Sequence, residues 1–194
     1  MYNGTEDGSP FNGNTWIFAL VAFPMQALYM AVAVYLPQYY ASTLGMDLAY
    51  IGMVFAAVRL IDLPVDPLLG IFIDRNSAHQ NKYIPWIIFG VPVTMTAAYM
   101  LFMASASDTL TSIAFWLFVM YLGSSMITLA HSAWAANIST SYQERSRIFA
   151  AIGMSGVAGM TLLFAMPVLV QNPDGSSMAV PAMGWFILGR KLIN

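Results

Sequence analysis

Three ionisable residues, Arg59, Asp62 and Asp66, stand inside an otherwise apolar run from Val58 to Gly70. Their spacing suggests a specific chemistry. Asp62 and Asp66 lie four positions apart, which on a helix puts both carboxylates on one face, within about 40° of each other. Two hard oxygen donors placed this way can coordinate a sodium ion with help from a neighbouring helix. They can also share a proton, because two close carboxylates resist being ionised together. Facing lipid, the three charges would cost about 2.5 to 3.5 kcal/mol each, so they are expected to face a bundle interior or water. Pro64 and Pro67 each remove a backbone donor, which predicts a kink beside the carboxylates and freed carbonyls as further cation ligands. A plainer reading makes Arg59 the structural counter-charge of Asp62, with no transported ion.

Other polar residues inside apolar runs are candidates for binding a solute. Gln26 follows Pro24 and Met25, and its amide can both donate to and accept from hydroxyl groups; gluing two helices together is its competing role. His131 can take part in proton coupling near neutral pH or bond a sugar hydroxyl, or it can simply pair with Thr128 or a backbone carbonyl. Trp134 can stack on the apolar face of a sugar ring, or anchor its helix at a membrane interface. Gly153, Gly156 and Gly159 recur every three residues, a small-residue stripe suited to close helix contact. His79 and His131 are the two histidines; they are far apart in sequence and give no metal cluster, and no nucleophile–base pair is evident. The chain is therefore read as a non-enzyme that needs no cofactor.

These residues require a membrane scaffold. Hydrophobic residues make up 59% of the 194, charged residues 8%, and the mean hydropathy is +0.67, against roughly 25% charged residues in soluble domains. The absence of cysteine excludes disulfides and thiolate chemistry. A net charge of −2 offers no basic face for nucleic acid. Five runs reach the roughly 20 apolar residues that span a bilayer: Trp16–Leu36, Leu48–Ile73, Ile84–Phe102, Thr109–Trp134 and Phe149–Val170. A sixth starts near Pro181 and stops short. The fold class expected is an all-α membrane protein of five complete transmembrane helices plus a truncated sixth. Residues 1–15 form an amino-terminal tail, and residues 16–194 an incomplete amino-terminal half-bundle whose carboxy-terminal half is missing.

Cations set the orientation. Arg75 and Lys82 lie between the second and third runs, Arg145 and Arg147 between the fourth and fifth. The positive-inside rule makes both connectors cytoplasmic, and parity then puts the amino terminus inside. At the end of the second run, Gly70, Asp74 and Arg75 form a G-x-x-x-D-R pattern. Gly70 admits a neighbouring backbone, Asp74 can cap or face an adjacent helix end, and Arg75 anchors the cytoplasmic edge, so that together they can act as a latch. An Asp–Arg pair is also an ordinary way to end a span.

This second loop resembles the helix 2–3 signature of the major facilitator superfamily. More specifically, Asp62, Asp66-Pro67-Leu68, Gly70 and Asp74-Arg75, followed by Lys82 and Pro85-Trp86, resemble the glycoside–pentoside–hexuronide:cation symporters. A second block supports this likeness: Ala135 to Ser139, then Tyr142, Glu144, Arg145, Ser146 and Arg147, resemble the helix 4–5 connector of that family. The resemblance implies an alternating-access transporter of twelve helices in a bacterial cytoplasmic (inner) membrane, with a small sugar-type solute held between two halves. By the same likeness Asp62 and Asp66 are the cation-site carboxylates, and Glu144, Arg145 and Arg147 belong to a cytoplasmic gating connector. Sugar contacts come from helices one, four and five, where Gln26, His131 and Trp134 are the candidates. The sequence departs from the melibiose-transporting members of the family. The fourth helix has no carboxylate, only Thr128 and His131; Gln26 replaces an acidic sugar ligand, and Gly153 lies near the place of a sugar-binding arginine. These departures argue against a galactoside substrate and leave the coupling ion as proton or sodium. The alternative is a non-transporting truncated remnant or a receptor-like membrane protein.

Overall fold

A computed structural model describes residues 13–75, 83–105, 107–139 and 141–169. The expected tail before residue 13, Lys82 and the segment from Pro181 lie outside the described residues. Those described are helical, with no strand among them. Five helices are long and apolar enough to cross a membrane, the number expected from apolar run length alone.

The first span, Thr15–Ser42, is composite. It consists of α1 (Gly13–Ala19), α2 (Ala22–Met30), a π-helical segment (Ala31–Tyr35) and α3 (Leu36–Ser42). It runs past the expected end at Leu36, through Pro37, to Ser42. The chain then turns through Gly45, whose φ of 70° suits a residue without a Cβ. Asp47 Oδ1 accepts from the Ala49 N–H at 2.7 Å and caps the next helix.

That helix, α4 (Leu48–Arg75), continues without interruption through Pro64 and Pro67. α5 covers Ile84–Phe102 and α6 Leu110–Ile138, with Thr109 accepting the Ser112 N–H at the start of α6. α7 (Tyr142–Leu169) starts seven positions before the expected Phe149. The reason is local: the Ser141 hydroxyl accepts the Glu144 N–H at 3.2 Å, and the pattern Ser141-x-x-Glu144 is that of a capping box.

α6 is the most buried span and α4 the least. α6 packs against α5 and α4, and α1 and α2 pack against α7. Small residues allow the two closest crossings. A Cβ on Gly90 of α5 would come within 2.9 Å of the Gly123 carbonyl of α6, and one on Gly123 within 2.6 Å of Thr94 Oγ1. On the other side, a Cβ on Gly159 would strike the Phe23 carbonyl and one on Gly156 would meet the Gln26 side chain. Gly153 faces open space, so two of the three stripe glycines make the contact expected of the stripe. The core between the helices holds Leu36, Tyr40, Leu101, Phe102, Leu117 and Met120, and the Tyr40 hydroxyl donates to the Leu101 carbonyl at 2.7 Å. Large apolar side chains, among them Ile17, Leu60, Ile88 and Phe89, point outward, as a bundle in lipid requires.

Candidate cation and substrate site

α4 determines which way its charged residues face. Ile61 and Leu63 are exposed while Asp62 between them is only 1% exposed, so the carboxylate points into the bundle and its neighbours point out. Arg59 Nη1 donates to Asp62 Oδ2 at 2.8 Å. The Arg59 side chain itself remains 54% exposed, and its guanidinium lies 5.1 Å from the ring centroid of Tyr121 on α6. Asp66, half-buried one turn further along α4, lies within electrostatic range of Asp62.

The remaining oxygens matter most for chemistry. Asp62 Oδ1 and Asp66 Oδ1 are both buried, and neither has a hydrogen-bond partner among the described residues. Buried carboxylate oxygens are costly unless a donor or a cation completes them. Pro64 and Pro67, inside the same helix, have no N–H to donate to the carbonyls of Leu60 and Leu63, four residues before each ring. Hard oxygen donors of this kind suit a sodium ion or a proton.

The solute candidates occupy different places. Gln26 is exposed on α2 and lies over Gly156 of α7. His131 is buried, with Nε2 2.9 Å from the Phe18 carbonyl. Since a carbonyl only accepts, Nε2 carries the proton. Its ring stacks on Phe18 with centroids 4.2 Å apart, and Phe18 meets Trp134 edge-on at 5.4 Å. Phe18 thus joins His131 and half-buried Trp134, while Thr128 bonds the Ser124 carbonyl instead.

The residues expected to form a latch and a connector lie toward helix ends. Asp74 and Arg75 are exposed at the end of α4, and a Cβ on Gly70 would meet nothing within 4 Å, so among the described residues Gly70 makes no close helix approach. Glu144, Arg145 and Arg147, expected in a connector, are instead in the first two turns of α7. The capping by Ser141 winds them into helix. Arg145 reaches back, Nη2 to the Ala136 carbonyl at 3.0 Å and Nε to Ser139 Oγ at 3.4 Å, placing a cation on the carbonyl end of α6.

Two residues near the carboxylates carried no signal in the sequence. Tyr29 of α2 stacks on Tyr121 with centroids 6.3 Å apart and planes 18° apart. A tyrosine within an apolar run looks like ordinary packing; only its position relative to an intramembrane charge would have marked it. A separate apolar cavity of about 340 Å³ lies between α2, α5 and α6, lined by Val21, Met25, Val91 and Met95 among others, and includes neither carboxylate.

A family described as MFS/sugar transport protein matches residues 17–190. The isoprimeverose transporter of Lactiplantibacillus pentosus is 24% identical over 178 residues, covering 88% of this chain and 36% of that protein. The uncharacterized symporter YnaJ of Bacillus subtilis is 23% identical over 168 residues, 84% of this chain and 36% of that protein. The glucuronide carrier protein homolog of Escherichia coli is 23% identical over 172 residues, 86% of this chain and 36% of that protein. The chain therefore spans about a third of the length of these relatives.

Proposed function

This chain belongs to the MFS/sugar transport protein family, an integral membrane family, and from that membership we propose that it supplies the amino-terminal part of a cation-coupled sugar symporter. The observation that carries the reading is a pair of buried carboxylate oxygens, Asp62 Oδ1 and Asp66 Oδ1, without a hydrogen-bond partner among the described residues, on a helix long and apolar enough to cross a membrane. A proton or sodium ion taken up there neutralises charge that the bundle otherwise holds at a cost. The carboxylates then differ between loaded and empty states, which is what a carrier needs if its ion is to bias one conformation over another. Gln26, His131 and Trp134 are the solute contacts in this reading, with a second half of the protein closing the site by alternating access. Gly70, Asp74 and Arg75, together with Glu144, Arg145 and Arg147, form the cytoplasmic edge that opens and closes. The amino terminus is inside, and the membrane is a bacterial inner membrane.

The Arg59–Asp62 ion pair favours a second reading, in which the charges are structural and nothing is coupled. Vesicle uptake separates the two. Isoprimeverose and a labelled glucuronide are the first probes, being the solutes for which two relatives are named. Asp62→Asn or Asp66→Asn is expected to abolish uphill accumulation driven by a sodium or proton gradient and to leave counterflow exchange measurable. Gradient-driven accumulation that survives both substitutions would overturn the coupling role.

A further inference from the structure

The guanidinium of Arg59 has more donors than Asp62 uses. Five N–H groups in a planar fork favour bidentate grip of a carboxylate, yet here one nitrogen, Nη1, meets one oxygen, Oδ2. Oδ1 is left over, as is Oδ1 of Asp66. A half-exposed arginine on a long flexible stem, next to two carboxylates, would be expected to cover both of them. The face of Tyr121, 5.1 Å below the guanidinium, opposes that movement, since a cation is held over the negative face of an aromatic ring. Tyr121 is itself held: the residue is only 7% exposed and its ring is stacked on Tyr29. A buried aromatic surface thus lies against a half-exposed cation, beside two carboxylate oxygens without a partner among the described residues.

We propose that Tyr121 is a positioning residue of the ion site: its ring holds the Arg59 guanidinium on Asp62 Oδ2 alone and so keeps the other carboxylate oxygens open to the coupling ion. The inference rests on Asp62 and Asp66 being the ion site. Once the ring is lost, Arg59 is free to swing over Oδ1 or onto Asp66 and compete with the ion. The groups facing this site are Arg59, Asp62 and Asp66 of α4, Tyr121 and Thr128 of α6, and Tyr29 of α2.

Thermal unfolding of the detergent-purified protein tests this, titrated with sodium chloride against choline chloride at fixed pH and, separately, from pH 8 to pH 5 without sodium. In the wild-type protein one of these ions is expected to raise the unfolding temperature, and Asp62→Asn to remove that response. Tyr121→Leu is expected to raise the ion concentration at half-effect at least fivefold, while Tyr121→Phe, which keeps the ring face, stays within twofold of wild type. A packing role alone would lower the ion-free unfolding temperature in Tyr121→Leu and leave the half-effect concentration unmoved; that result overturns the inference and leaves the ion site standing. If neither ion stabilises the wild-type protein, or if Asp62→Asn keeps the full response, the ion site and the positioning role fall together.

Discussion

The Nε2 of His131 and the carbonyl of Phe18, separated by 113 positions in sequence, lie 2.9 Å apart, joining α6 to α1. The contact combines a hydrogen bond with ring stacking at 4.2 Å. His131→Ala is therefore expected to lower stability by about 1–3 kcal/mol, as for a lost buried hydrogen bond. His131→Gln, which retains a donor, should lose less. Unfolding of the purified variants in mild detergent reads both, and equal losses would show that the ring contact rather than the bond joins these helices.

Arg59 and Asp62 allow a second expectation. Removing one partner strands the other, at roughly 3–5 kcal/mol for a fully buried pair. The exposure of the Arg59 side chain, 54%, lets water share the charge, so Arg59→Met should cost only about 2 kcal/mol. Adding Asp62→Asn to Arg59→Met should recover most of that loss without restoring ion-driven uptake. The measurement is a double-mutant cycle on unfolding, with uptake assayed in parallel.

The glycine crossings differ in a way that mutation can read. Gly159→Ala pushes a methyl group into the Phe23 backbone, whereas Gly153→Ala enters open space. An overpacked crossing typically costs 1–3 kcal/mol, so Gly159→Ala should lower the unfolding temperature or the yield of monodisperse protein on size exclusion. Gly153→Ala should match the parent within error. A neutral Gly159→Ala would mean that the first span and α7 separate more readily than their packing suggests.

Orientation can be tested directly because the chain has no cysteine. Ser107 lies between α5 and α6, and Ser146 in the first turns of α7. With the amino terminus inside, Ser107→Cys should react with a membrane-impermeant maleimide on intact cells. Ser146→Cys should react only after permeabilisation. The reverse pattern would invert the proposed topology.

The five spans among the described residues were legible in the sequence because length and apolarity are what a bilayer demands, and residues such as Asp62 announced an inward direction by the cost of any other. Span ends were less legible. The first span passed its expected end and ran on through Pro37 to Ser42, and α7 began early because Ser141 caps a charged stretch that composition reads as loop. The shared helix face of Asp62 and Asp66 could be read from their spacing, but the surroundings of Arg59 could not. Tyr121 and Tyr29 are set beside it by the packing of α2 and α4 on α6, and neither pays a desolvation cost large enough to stand out along the chain. Gln26 shows the same limit from the other side: its amide is visible in sequence, but its place over Gly156 depends on a crossing made by residues well over a hundred positions away.

The π-helical segment Ala31–Tyr35 changes how the rest of the first span must be counted. A π turn accommodates one extra residue in roughly the same length of helix, so side chains beyond it are out of phase with those before it by about the 100° that one residue of α-helix represents. A wheel drawn straight through from Phe18 would therefore misassign the inner and outer sides of the last turns. Tyr40, fully buried and bonded to the Leu101 carbonyl, is the marker from which the true phase should be set. A one-residue deletion within Ala31–Tyr35 would turn the segment into plain α-helix and leave that tyrosine in the core.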